Sequence, residues 1–121
     1  MSGKIMKGPA AIPSTDLGDA KQVPYPLGDV VSEVRMLETA HFQGHSGQVT
    51  SGIWECTPGE WERTITAAEF AHFLKGSCTF EGDDGQILKF EAGDSVLFKP
   101  NSLGRWIVHE TTRKVFVLFE S

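Results

Sequence analysis

From residue 49 onward apolar and polar positions alternate with a period of two, and glycine, proline or aspartate interrupts the alternation every few residues. Such a period puts alternate side chains on opposite faces of an extended chain, so each stretch predicts a half-buried β-strand. Residues 49–56 form the first and stop at Thr57, Pro58 and Gly59, where proline presets φ and glycine admits a positive one. Residues 60–66 follow, then 69–74, which bends at Gly76 and continues through 76–80. The run 81–85 is a hairpin tip, and 82–85 is no phosphate loop because no helix follows it. Residues 86–91, 95–98, 105–109 and 114–119 supply the remaining strands. Many short antiparallel strands between turn residues, without an amphipathic helical period, predict an all-β sandwich or barrel.

The first thirty residues behave differently. Gly3, Gly8, Pro9, Pro13, Gly18, Pro24, Pro26 and Gly28 break any period, which predicts an extended arm over 1–30 laid across the body or across a partner subunit, with one barrel over 31–121. Residues 30–37 fit either a strand or a single helical turn. The segment 39–47 is a polar connector; His41 and His45 have the spacing of two helix-borne metal ligands, but Gly44 and Gly47 oppose a helix and a zincin glutamate is missing. They are taken as loop histidines.

Composition narrows the function. A chain of 121 residues, 40% of them hydrophobic, supports one core. Its net charge of -5 and scattered Lys and Arg argue against a nucleic-acid partner. No apolar run approaches the roughly 20 residues that span a bilayer, and no apolar stretch precedes a cleavage site, so no membrane contact is expected and the default location is cytoplasmic. Cys56 and Cys78 lie within strands without metal-type spacing and read as buried thiols in a reducing compartment.

Gly59, Glu69 and Gly76, followed by Gly93 and Pro100, resemble the frame of the two signature motifs of the cupin superfamily. The resemblance implies a double-stranded β-helix, the cupin-type jelly-roll barrel, here with an extended N-terminal arm. The family's histidine ligand positions fall on Glu62, Thr64 and Arg105, and its asparagine position on His109. It therefore implies a barrel without the usual metal ligation, and neither a metal nor a cofactor is expected. The quoted residues Gly52, Trp54, Glu55, Pro58, Trp61, Gly104, Trp106, Arg113 and Lys114, with the run 69–76, are similar to small single-domain cupins related to the cupin domain of (S)-ureidoglycine aminohydrolase. That likeness implies a small carboxylate- or ureido-type metabolite, although ureidoglycine hydrolysis would need the absent histidines.

In a jelly-roll one face of every strand lines the interior. On the motif register, Glu62, Thr64, Glu69, Arg105 and His109 are expected to converge inward, with Trp54 joining them. Arg105, the only inward cation on this register, would orient an anionic small-molecule ligand bidentately opposite Glu69 and Glu62, and Glu69 or His109 would be the catalytic proton-transfer group. Glu62, Thr64 and Trp54 complete the substrate-binding set. The alternative for these groups is an ion pair that merely fills the barrel. His72, Trp61 and Trp106 fall on the outward parity and are expected to pack a homodimer. Two functional readings follow: a small-molecule enzyme or binding protein, and a non-catalytic accessory or sensor whose outer face contacts other proteins.

Overall fold

Two long strands, β5 (Ala68–Gly82) and β8 (Gly104–Phe119), pair antiparallel along almost their whole length and organise the computed structural model, which describes residues 2–120. Each passes through both layers of the fold. In the first layer β1 (Lys21–Gln22), β2 (Glu33–Gln43) and β3 (Gln48–Cys56) lead to the C-terminal half of β8, then the N-terminal half of β5, then β7 (Ser95–Phe98). In the second, β4 (Gly59–Arg63) pairs with the N-terminal half of β8, whose other neighbour is the C-terminal half of β5, flanked by β6 (Ile87–Glu91). All pairings are antiparallel, as the cupin jelly-roll requires.

The bend that separates the layers sits at Gly76. Its φ is +91°, and a Cβ there would stand 2.6 Å from Thr112 Cα and hard against the Thr111 carbonyl, so the crossing admits glycine and little else. Three register shifts between Phe73 and Cys78 accompany it. They change the inward parity of β5: Glu69, Ala71 and Phe73 are buried before the bend, Cys78 and Phe80 after it. Phe73 then stacks on Phe90 at 4.6 Å, and Phe80 meets Phe98 at 5.1 Å and Trp106 at 5.3 Å, edge to face. Cys56 and Cys78 are free thiols in this core, as expected, and burial pushes each up to about 11.

Several local expectations change. Trp61 and Trp106, expected on the outside, belong to the core, with Trp106 only 1% exposed. The stretches 105–109 and 114–119 are one strand, β8, and residues 33–43 form the single strand β2, on which His41 bonds Thr50 Oγ1 at 2.7 Å. Strand β4 stops at Arg63, three residues short of the predicted end. His72 does stand on the outer face, its Nδ1 2.7 Å from Ser95 Oγ.

The arm lies across its own barrel. Arg113, 1% exposed, donates through Nη1 to the carbonyls of Pro9, Ala10 and Ile12 at 3.0, 3.3 and 2.6 Å, and through Nε to Glu55 Oε2 at 2.8 Å. The Ser14 hydroxyl, in a one-turn 3-10 helix (Ser14–Asp16), donates to Glu55 Oε1 at 2.6 Å, and Arg35 Nη1 to the Gly18 carbonyl at 2.8 Å. Burial would raise the Glu55 carboxyl, but Ser14, Arg113 and Lys75 hold it below its ordinary value. Further on, Leu27 N–H donates to the Glu60 carbonyl at 2.8 Å and Glu62 N–H to the Tyr25 carbonyl at 3.2 Å, so the arm covers the otherwise open edge of β4.

Arg113→Ala removes the donor set for three arm carbonyls and leaves Glu55 with the Ser14 hydroxyl and one half-exposed lysine as its cation. Urea denaturation is expected to show a loss of about 3–5 kcal/mol. Timed trypsin digestion is expected to cut the arm at Lys4 and Lys7 well before the wild type is cut there.

Candidate functional site

Pairing of β4 with β8 sets Trp61 opposite Trp106, so both indoles share the inner face and Arg63, two residues on, follows them inside. On the other half of β8, Lys114 lies opposite Trp54 of β3 and Phe73 of β5. Glu69, 1% exposed, completes the group from β5. Arg63 Nη2 donates to Glu69 Oε1 at 2.9 Å, and Lys114 Nζ to Glu69 Oε2 at 2.8 Å. Each carboxylate oxygen thus has its own cation.

Aromatic rings surround these charges. The Lys114 ammonium stands 4.5 Å from the Trp54 ring centroid and 5.2 Å from that of Trp106, while the Arg63 guanidinium lies 4.3 Å over Phe98. Ring faces attract cations and favour these positions. Arg63 Nη1 also donates to the carbonyls of Ser102 and Ile65, at 2.5 and 3.2 Å, which fixes the guanidinium at the barrel mouth. Beside the cluster is a cavity of about 140 Å³ lined by Trp54, Trp61, Arg63, Glu69, Trp106 and Lys114, and bounded by Met36, Ile65, Phe116 and Leu118. Met36 and Ile65 are 47% and 39% exposed, so this end meets solvent.

The charges do not cancel. Among the lining residues two cations face one carboxylate, which leaves one positive charge in a largely apolar enclosure. Arg63 Nε and Trp61 Nε1 are buried without a hydrogen-bond partner among the described residues. Burial alone would raise the Glu69 carboxyl, but Lys114 and Arg63 overcome it and hold the group below its ordinary value.

Of the residues expected at the site, Glu69 and Trp54 line this cavity. Glu62, Thr64 and Arg105 do not reach it: they line a groove of about 320 Å³ on the outside of the barrel. Arg105 pairs there with Glu81 and with Glu60, the latter at 3.5 Å. His109 is exposed at a separate place, its Nε2 2.9 Å from Thr79 Oγ1. The inward register expected for Glu62, Thr64, Arg105 and His109 is therefore reversed. Residues 64–67 form no strand, so a parity counted back from Glu69 does not reach β4. Turning Trp106 and Val108 inward also buries more apolar area than turning in Arg105, Ile107 and His109 would. Arg63 and Lys114, the cations that do face inward, carry the same parity as Trp61 and as Trp106 and Phe116 respectively, and that alternation was the available signal.

Residues 43–116 match the EutQ-like cupin domain family. The chain belongs to that family. Among solved structures this EutQ-like cupin is similar to the EutQ protein of Clostridium difficile, with 14% identity and a TM-score of 0.61 over 73% of this chain and 68% of that one. It is similar also to a DUF861-family protein of unknown function from Pseudomonas syringae pv. tomato, with 18% identity, a TM-score of 0.67, and coverage of 85% and 45%. The cupin spans less than half of that protein's length. A DUF861-family protein of Thermotoga maritima is 33% identical, with a TM-score of 0.54 over 55% of this chain and 76% of the other. No curated protein matches the chain.

The interior of this cupin does not suit the metal that its superfamily commonly holds. The positions of the usual ligands point outward, the one interior carboxylate is engaged by two cations, and no group of three or more His, Cys, Asp or Glu converges among the described residues. A divalent ion would sit against Arg63 and Lys114 and be repelled.

Glu69→Gln leaves two buried cations without an anion and is expected to lower stability at neutral pH by about 3–5 kcal/mol. Because the folded Glu69 carboxyl lies below its ordinary value near 4.5, its contribution is present above that pH and is lost as the pH falls through the lower folded value. The gap between wild type and Glu69→Gln in urea melts should accordingly narrow as pH drops below about 4.5.

Proposed function

We propose that this cupin binds a small anion, a short carboxylate or a group of similar shape, in the cavity beside Glu69. The observation that carries the reading is the unbalanced positive charge of Arg63 and Lys114 against Glu69, together with the unpartnered Arg63 Nε, at a cavity that reaches solvent. A carboxylate there would neutralise the excess and give that donor an acceptor. About 140 Å³ corresponds to some five water molecules, well below the volume of a drug-sized site, so the ligand is small. Flat walls from Trp54, Trp61 and Trp106 suit a planar or apolar remainder.

The environment of Glu69 supports binding over proton transfer. A carboxylate kept ionised by two cations is a weak base, and it serves to hold Arg63 and Lys114 in place. The likeness to the ureidoglycine aminohydrolase cupin domain rests on sequence motifs alone and adds ureido compounds to the ligands worth trying.

A thermal-shift series with two- to four-carbon carboxylates and ureido acids tests the reading on wild type, Lys114→Met and Arg105→Ala. A ligand present at about 100 times its Kd should raise the wild-type melting temperature by several degrees. Lys114→Met is expected to lose that shift, and Arg105→Ala, changed only on the outside, to keep it. The proposal fails if no compound shifts the wild type or if Arg105→Ala abolishes the shift while Lys114→Met retains it.

A further inference from the structure

Among the described residues Lys114 is the one lysine that the fold takes inside. Lys4, Lys7, Lys21, Lys75, Lys89 and Lys99 are all exposed, whereas Lys114 is buried and lines the cavity beside Glu69. Of its three N–H groups, one has an oxygen acceptor among the described residues, Glu69 Oε2 at 2.8 Å. The rest of the ammonium faces rings, with Trp54 at 4.5 Å and Trp106 at 5.2 Å. Arg63 already supplies Glu69 with a cation, at 2.9 Å, so pairing that carboxylate does not require a second one. A second buried cation carries a desolvation cost. An amine also differs from a guanidinium in one chemical respect: it can lose a proton and attack a carbonyl carbon.

We infer that Lys114 condenses with a small 2-oxo acid in this cavity and holds it as a protonated imine, an inference that rests on the anion site proposed above and names the reactive group of its ligand. Arg63 and Lys114 grip the two oxygens of one carboxylate, so their bonded nitrogens are at most about 8 Å apart. In a 2-oxo acid the carbonyl carbon adjoins the carboxylate, so a molecule bonded to Lys114 through the first and hydrogen-bonded to Arg63 through the second spans about 5–6 Å. Both cations can therefore engage the same molecule, and a cavity of about 140 Å³ keeps the remainder short. In the condensation the ammonium lends a proton to water at the open end, and the free amine adds its lone pair to the carbonyl carbon. The oxygen then leaves as water with the returned proton while the carbon–nitrogen double bond forms. Ammonium and ketone have become iminium and water, and no oxidant or reductant is consumed. The iminium keeps one N–H for Glu69 Oε2 and remains a cation beside the Trp54 and Trp106 rings, so the groups that hold the ammonium hold the product. The indole walls limit the water that would hydrolyse it.

The test treats the full chain with pyruvate and sodium cyanoborohydride, which reduces an imine to a stable secondary amine, and then maps the modified peptides by mass. Lys114 should carry the reduced adduct at least about tenfold above any of the exposed lysines, because Arg63 holds the carboxylate beside it. Acetone has the carbonyl but no carboxylate and should leave Lys114 unlabelled. Excess propionate has the carboxylate but no 2-oxo group and should suppress labelling by pyruvate. Melting temperatures measured without reductant separate this inference from the anion site on which it rests. If pyruvate and propionate raise the melting temperature alike and Lys114 gains no adduct, the inference is overturned and the anion site stands. No shift from either compound and no adduct overturns both. Labelling spread evenly over the exposed lysines also overturns the inference, since the amines would then be reacting as they do in free solution.

Discussion

The bend at Gly76 is the constraint on which the two layers depend. β5 runs through both, and only a residue without Cβ fits between its backbone and that of Thr111 and Thr112. The accompanying register shifts do more than turn the strand. They move the inward parity by one, so that Glu69 enters the interior from one half and Phe80 packs on Trp106 from the other. Without that change, the second half of β5 would present Thr79 and Glu81 to the core and turn Phe80 to water.

Two buried ionic groups occupy opposite faces of the first layer, and alternation along the strands produces both. Trp54 and Lys114 look into the barrel, and their sequence neighbours Glu55 and Arg113 look out beneath the arm. The outer group is saturated: Arg113 has a carboxylate and three carbonyls, and Glu55 also receives Ser14 and Lys75. Saturation suits an element whose task is to hold a segment in place. The inner group is short by one anion, and in a medium that penalises unpaired charge such a deficit marks a place for an incoming partner.

Much of the architecture was legible because strands announce themselves locally. The turn at Pro58 and Gly59, the hairpin tip at 81–85 and the glycine at 76 each state their role through backbone preference alone. The jelly-roll followed from those marks and from the motif frame. Of the site, Glu69 and Trp54 were legible and the cations were not. Motif spacing counted back from Glu69 crosses residues 64–67, where the chain leaves the sheet and parity loses meaning. The hydrophobic alternation of Trp106, Val108 and Phe116 instead carries Lys114 inside and Arg105 outside. The anchor of the N-terminal segment is not legible in the sequence, because Arg113 finds carbonyls about a hundred residues away and no local pattern encodes that meeting.

The two cysteines give the folded molecule a particular indifference to its surroundings. With each thiol near 11, only on the order of one in ten thousand is ionised at neutral pH, and the thiolate is the species that attacks or is oxidised. Both sulfurs are also buried in the core, out of reach of disulfide exchange with a dissolved thiol. A change of redox conditions therefore finds little to attack in the native fold, while a chain that opens its core exposes two ordinary thiols at once and becomes subject to oxidation and cross-linking.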